Sequence, residues 1–221
     1  MREPRVATAT RAEGLVERAM GRRAVLSSVV LAVVALARPS AADPEPREVR
    51  VARAIERARS EVRSGVVYDR RYVERAMGAP STDRGACTDL VARALGASGY
   101  DVQTRLQLDV RLAPSAYPGI LSPDGRVDHR RTPNLFVLFR RTARSLPVDI
   151  GPDTRSTFAP GDVIVWTYGR CPECKADHIG LVSDRLGTRG LPLVLHNAGP
   201  RATEEDALDA WPIVGHFRLF N

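Results

Sequence analysis

The amino-acid sequence predicts an α+β fold, with helices in the first half and a small antiparallel sheet in the second. Two observations carry this. Apolar residues up to about position 139 recur at three-and-four spacing, whereas after Pro160-Gly161 they fall into short runs bounded by turn residues. The helical patterns also come grouped ahead of the strands instead of alternating with them, which separates α+β from a parallel α/β sheet. No internal repeat interrupts this order.

The chain opens with a segment that does not belong to the domain. Arg22-Arg23 precede an apolar run over 24–37, followed by Arg38-Pro39-Ser40-Ala41-Ala42. That is the layout of an export signal with a small-residue cleavage site. The run is shorter than the roughly 18 residues a membrane span requires. Residues 1–42 are therefore expected to be removed, leaving one domain over 43–221 in the periplasm or outside the cell, without a membrane span. A monomer is expected.

A helix is predicted over 48–65, with Val51, Ala54, Ile55, Ala58 and Val62 inward, arginine and glutamate outward, and Gly65 as its C-cap. A brief helix follows at 72–77, then a turn over 78–81. Thr82 and Asp83 are good starters for the next helix, which places Cys87 in its first turn and buries Leu90, Val91, Ala94 and Leu95. It ends near 96–99. Asp101 opens a third helix, with Val102, Leu106 and Val110 inward. Residues 114–133 read as loop, and Thr132-Pro133 cap a fourth helix buried through Leu135, Phe136, Leu138 and Phe139. Strands are predicted at 163–166, 178–182, 193–196 and 213–220, separated by Gly169, Asp184, Gly187, Gly190 and Gly199.

The formal charge is +7, which would suit a polyanion, but nearly all of it is arginine and Lys175 is the one lysine. No arginine run is interleaved with aromatics, and aromatics make up 5% of the chain, so base-stacking surfaces and a nucleic-acid partner are not expected. No cofactor is called for.

The cysteines carry the chemistry. Cys171 and Cys174 form a Cys-Pro-Glu-Cys pair, a disulfide candidate in an oxidising compartment, which leaves Cys87 as the odd thiol. A thiol at a helix N-terminus meets partial positive charge and free amides, both of which favour the nucleophilic thiolate. It needs a base, and the base needs an orienting partner. Of four histidines, His178 opens one predicted strand and His196 closes the next. If those strands are antiparallel neighbours, the two imidazoles meet at one edge of the sheet, where a cysteine helix would complete a triad.

At these residues the sequence also resembles a known family. The order of a helix-capping cysteine, Pro160-Gly161-Asp162-Val163-Ile164-Val165-Trp166, Asp177-His178-Ile179-Gly180-Leu181-Val182 and Val194-Leu195-His196-Asn197 is similar to the NlpC-type papain-fold hydrolases of bacterial cell walls. More closely it resembles an exported bacterial family of undefined function within that superfamily. The stretches Asp83-Arg84-Gly85-Ala86-Cys87-Thr88-Asp89 and Asp128-His129-Arg130-Arg131-Thr132-Pro133-Asn134-Leu135 carry that likeness, which spans about 68–217. The resemblance implies a papain-like fold, Cys87 as nucleophile, His178 as general base and acid, and His196 as orienting residue. It also implies hydrolysis of amide bonds in peptidoglycan stem peptides, so peptidoglycan or its fragments are the expected partner. Ala86 and Thr88 stand where the commoner pattern has Asp and Ser, and Tyr68, at a longer spacing than the family's, is the one candidate for the upstream tyrosine that the resemblance implies at the oxyanion hole.

Asp128, His129 and Arg130 are candidates for a cleft wall, with the arginines of 130–131 holding a substrate carboxylate in bidentate fashion; an ordinary charged loop fixing a helix start is the alternative. Asp89, two positions past the thiol, is expected to face away from it, and Asn197 is expected on the opposite side of its strand from His196. Two rival classes remain open. Cys171, Cys174, His178 and His196 have the spacing of a structural zinc site, which would make a metal-stabilised binding module. The other is a papain-like fold that binds cell-wall glycopeptide without cutting it.

Overall fold

The apolar stripe expected over 48–65 forms helix α1, Arg47–Ser64, in a computed structural model that describes residues 45–71, 74–75, 79–80, 82–169 and 175–220. Val51, Ala54, Ile55 and Ala58 are buried on one side. Gly65 ends the helix in the left-handed region (φ 63°), its N–H donating to the Val62 carbonyl at 3.1 Å. Glu61 is also buried, which its charge forbids unless it is paired; Arg93 of the cysteine helix grips it with two bonds of 2.6 and 2.7 Å.

Strand β1, Val67–Tyr68, pairs in parallel with β4, Arg84–Gly85. Between them β2, Glu74–Arg75, pairs antiparallel with β3, Ala79–Pro80. The helix expected at 72–77 is therefore not formed at Glu74–Arg75, and the rest of that stretch lies outside the described residues. Six residues are too few to offset the cost of helix nucleation without an apolar face to dock. Helix α2, Cys87–Ala97, begins at the cysteine itself, with Ala86 as its N-cap; Thr82 and Asp83 precede β4 instead of starting the helix. Helix α3, Val102–Leu112, is capped by Asp101, whose carboxylate accepts the Thr104 N–H at 3.0 Å. In α4, Thr132–Thr142, Arg131 takes the cap position, so Thr132 and Pro133 already lie in the first turn.

The sheet follows: β5 (Arg144–Ser145), β6 (Val163–Trp166), β7 (His178–Leu186), β8 (Pro192–His196), β9 (Thr203–Glu205) and β10 (Ile213–Arg218). Their spatial order is β5-β10-β6-β7-β8-β9, with every neighbouring pair antiparallel. The architecture is thus α+β, as expected. The four central strands match the predicted ones; the two edge strands are too short and polar to show a period.

Both faces of the central strands are buried. Val163, Val165, Ile179, Leu181, Leu195 and Phe217 share a core with α1, α2 and α4. Ile164, Trp166, Val182 and Val194 point the other way, into a smaller core with Phe158, Leu191 and Leu208. This two-sided burial explains why these strands read as unbroken apolar runs. The residues described from Glu45 onward pack as one compact unit. The expected export segment, residues 1–42, and both Cys171 and Cys174 lie outside the described residues. Among the described residues no helix is long and apolar enough to cross a membrane.

One register matters for the site. Gly180 of β7 stands opposite His196 of β8. A methyl group at 180 would lie 2.9 Å from Val194 Cγ1, 3.0 Å from His196 Cβ and 3.1 Å from the Leu195 carbonyl oxygen. Glycine is what lets β8 and its histidine close on β7. Gly180→Ala is expected to lower stability by roughly 1–3 kcal/mol through overpacking, read from urea denaturation; an unchanged midpoint would show that the strands can part at no cost.

Candidate active site

Cys87 is the first residue of α2, and the start of that helix is held from three sides. Asp89 accepts the Ala86 N–H at 2.7 Å, capping the helix from within. Arg130 donates to both oxygens of Asp89, at 2.7 Å each, and Thr88 Oγ1 donates to the Arg130 carbonyl at 3.0 Å. Asn197, on the helix side of β8 as expected, donates to the carbonyls of Gly85 (3.1 Å) and Val66 (3.4 Å). It thereby ties down both strands of the small parallel pair that leads into the cysteine.

Cys87 is 8% exposed, and its sulfur lies 3.9 Å from Thr132 Oγ1. Burial pushes the thiol up, and the Thr132 hydroxyl and the backbone amides of Ile179 and Thr88 only partly offset it. The direction is opposite to the one expected from the helix N-terminus: burial favours the neutral thiol. Cys87 opens onto a cleft of about 490 Å³ that Tyr68, Arg70, Arg131, Thr132 and Asp177 also line. The parallel pairing of Tyr68 with Gly85 brings the tyrosine there although the two are far apart in sequence.

His178 and His196 do meet. His178 Nε2 and His196 Nδ1 are 2.7 Å apart, and His196 Nε2 donates to Glu205 Oε1 at 2.8 Å. The geometry is a diagonal across the sheet, since His196 is opposite Gly180, two residues along from His178 on the same face. Aromatic rings enclose the pair: Trp166 and Tyr168 stack on His178 at 5.4 and 5.9 Å, and Trp211 meets both imidazoles edge-on at 5.4 and 6.1 Å. Burial, with His196 as close neighbour, pushes His178 down to about 3. His196 is also lowered by burial, against the pull of Glu205.

Cys87 and His178 make no direct hydrogen bond. The hydrogen-bond contact of the sulfur is with Thr132 Oγ1; the backbone amide of Ile179, the residue after His178, pulls the thiol down against burial. They share a neighbour in Tyr168, which stacks on His178 and whose hydroxyl is pushed up to about 12 by burial and by the nearby Cys87. Tyr68 is raised by the same two causes. Asp177 accepts the Tyr168 N–H at 2.9 Å and holds that ring in place.

Of the three expected cleft residues, Asp128 and His129 sit elsewhere and Arg130 is engaged in construction. Arg130 lines the cleft, but its guanidinium fork is spent on Asp89, so it builds the helix start and does not offer itself to a substrate carboxylate. Asp128 is buried, its carboxylate accepting the Asp124 N–H at 2.7 Å and its carbonyl the Asn134 side chain at 2.9 Å. His129 faces a separate cavity of about 320 Å³ beside α2 and α3. Of the zinc set, Cys171 and Cys174 lie outside the described residues. Both ring nitrogens of His196 and one of His178 are already in hydrogen bonds. Sequence reasoning missed Glu205, Tyr168 and Asp177. Tyr168 had a signal, as an aromatic just past an apolar strand; Glu205 had none, because its strand has no apolar pattern.

A family model described as a domain of unknown function (DUF1287) matches residues 55–219. The chain belongs to the DUF1287 family. Within reach of that match, the Escherichia coli (strain K12) protein YijF, described as uncharacterized, is 37% identical over 168 residues, covering 74% of this chain and 78% of YijF. Membership in a family of undefined function is what the sequence resemblance led us to expect. Cys87, His178, His196 and Glu205 all fall inside the DUF1287 match.

The imidazole of His178 gives the fold a pH signature. In the unfolded chain it takes a proton near pH 6.5, and in the folded one only near 3. Its contribution to stability is complete above about 6.5 and is lost as the pH falls towards 3. The stability of His178→Phe, measured between pH 6 and 4, is expected to fall less steeply than wild type by about 1.4 kcal/mol per pH unit, the weight of one proton; parallel slopes would contradict a buried neutral His178.

Proposed function

We propose that this chain is an exported thiol hydrolase with a papain-like, NlpC-type fold, cutting amide bonds in peptidoglycan stem peptides. The observation that carries the reading is the His178–His196 pair, 2.7 Å apart at the start of the strand whose next residue, Ile179, lowers the buried Cys87 thiol through its backbone. Cys87 and His178 are linked through the residues between them: Ile179 follows His178 in the chain, and Tyr168 stacks on His178 and feels Cys87. A catalytic hydrogen bond that is absent without substrate is ordinary and forms on binding.

The chemistry then runs from a neutral pair. A substrate carbonyl enters the cleft, the sulfur attacks its carbon, and the thiol proton passes to His178 Nδ1 as the S–C bond forms. The backbone amide of Cys87 at the helix start and the Tyr68 hydroxyl, both at this cleft, receive the developing oxyanion. His178 returns the proton to the leaving amine as the C–N bond breaks, giving a thioester. Water attacks that thioester, His178 takes the water proton, and the expelled sulfur is reprotonated. Because the pair starts uncharged, proton transfer accompanies attack instead of preceding it.

Two features speak for the substrate. Arg70 and Arg131 line the cleft, and neither has a carboxylate partner among the described residues. They suit the carboxylates that stem peptides carry. The basic–apolar–small pattern of residues 22–42 would deliver the protein to the compartment where that polymer lies. A second reading, a module that binds glycopeptide without cutting it, is favoured by the lack of a Cys87–His178 hydrogen bond and by the raised thiol.

Digestion of purified peptidoglycan, with products identified by mass, separates the two. Wild type is expected to release peptide fragments, with Cys87→Ala and His178→Ala inactive by at least about a hundredfold and His196→Ala less affected. Retention of the polymer with no product from wild type would favour the binding module.

A further inference from the structure

We propose that Glu205 is a positioning residue that sets the tautomers of both buried imidazoles. Its part in turnover rests on the hydrolase reading above; the tautomer assignment does not.

The inference follows from which atoms face one another. Glu205 lies on β9, beside β8, with its side chain about half exposed. Its Oε1 stands 2.8 Å from His196 Nε2 and also accepts the Thr203 hydroxyl at 3.0 Å. A carboxylate oxygen only accepts, so the hydrogen of His196 is on Nε2. A neutral imidazole carries one such hydrogen, so His196 Nδ1 presents a lone pair. That lone pair faces His178 Nε2 at 2.7 Å, which must then carry the hydrogen of the second ring. His178 Nδ1 is left as a bare lone pair, the atom a base needs.

Both rings are fully enclosed, at 2% and 0% exposure, among Trp166 and Trp211, where a second proton on either is costly. The order of hydrogens along the chain is therefore decided at Glu205, the charged acceptor at its half-exposed end. Without an acceptor at 205, His196 is free to move its hydrogen to Nδ1, and the hydrogen of His178 would move to Nδ1 in response. The base would be capped by its own proton.

Nitrogen-15 NMR of the full chain labelled at histidine reads the tautomers directly, with signals assigned from single histidine variants. Wild type is expected to show Nε2–H for both His178 and His196. Glu205→Gln is expected to keep them, since its amide oxygen accepts the same hydrogen, and to keep kcat within about threefold. Glu205→Leu is expected to shift both rings towards Nδ1–H and to lower kcat at least about tenfold at unchanged KM. A wild-type His196 protonated at Nδ1, or unchanged tautomers in Glu205→Leu, would overturn the proposal. If the tautomers shift as described while no variant or wild type hydrolyses peptide, the assignment stands and the hydrolase reading alone fails.

Discussion

One diagonal contact between antiparallel strands organises this molecule: His178 Nε2 against His196 Nδ1, 2.7 Å apart. It exists because Gly180 lets β8 approach β7 without a side chain between them, and because a strand start lies opposite a strand end in such a pair. Around it the sheet is buried on both faces, so the two polar rings sit in a setting where every hydrogen bond must be made within the protein. Trp166 and Trp211 exclude water from one side, and Glu205 closes the chain of donors and acceptors on the other.

The same burial decides the ionisation of the site. Desolvation raises Cys87 and lowers His178, so both shifts favour uncharged partners over a thiolate–imidazolium pair. The charges nearby are occupied in construction: Asp89 and Arg130 neutralise each other while shaping the helix start, and Glu61 with Arg93 fastens that helix to α1. At the cleft, exposed charge lies on Arg70, Arg131 and Asp177.

Most of the fold was legible, because period carries it. The apolar stripes of α1, α2, α3 and α4 and the four central strands could be counted off the residues, and Gly65 and Asp101 mark their helix ends as side-chain chemistry requires. What could not be read was tertiary. β9 is three polar residues whose pairing depends on β8, so Glu205 was invisible. The role of Arg130 turned on whether its fork met a substrate or Asp89, a choice made by the packing of residues 128–130 on α2. The state of Cys87 turned on burial, which the residue types at a helix start do not disclose. His178 and His196 were legible as a pair because strand ends and antiparallel order suffice to bring them together.

The most direct measurement of the central claim is labelling by a peptide that carries a thiol-selective vinyl sulfone, with the adduct mapped by mass. The account predicts one adduct on Cys87 at pH 7, with a rate that falls at least about a hundredfold in His178→Ala while binding of the peptide persists. Labelling of Cys87 at the wild-type rate without that imidazole, or no labelling of Cys87 at all, would contradict it.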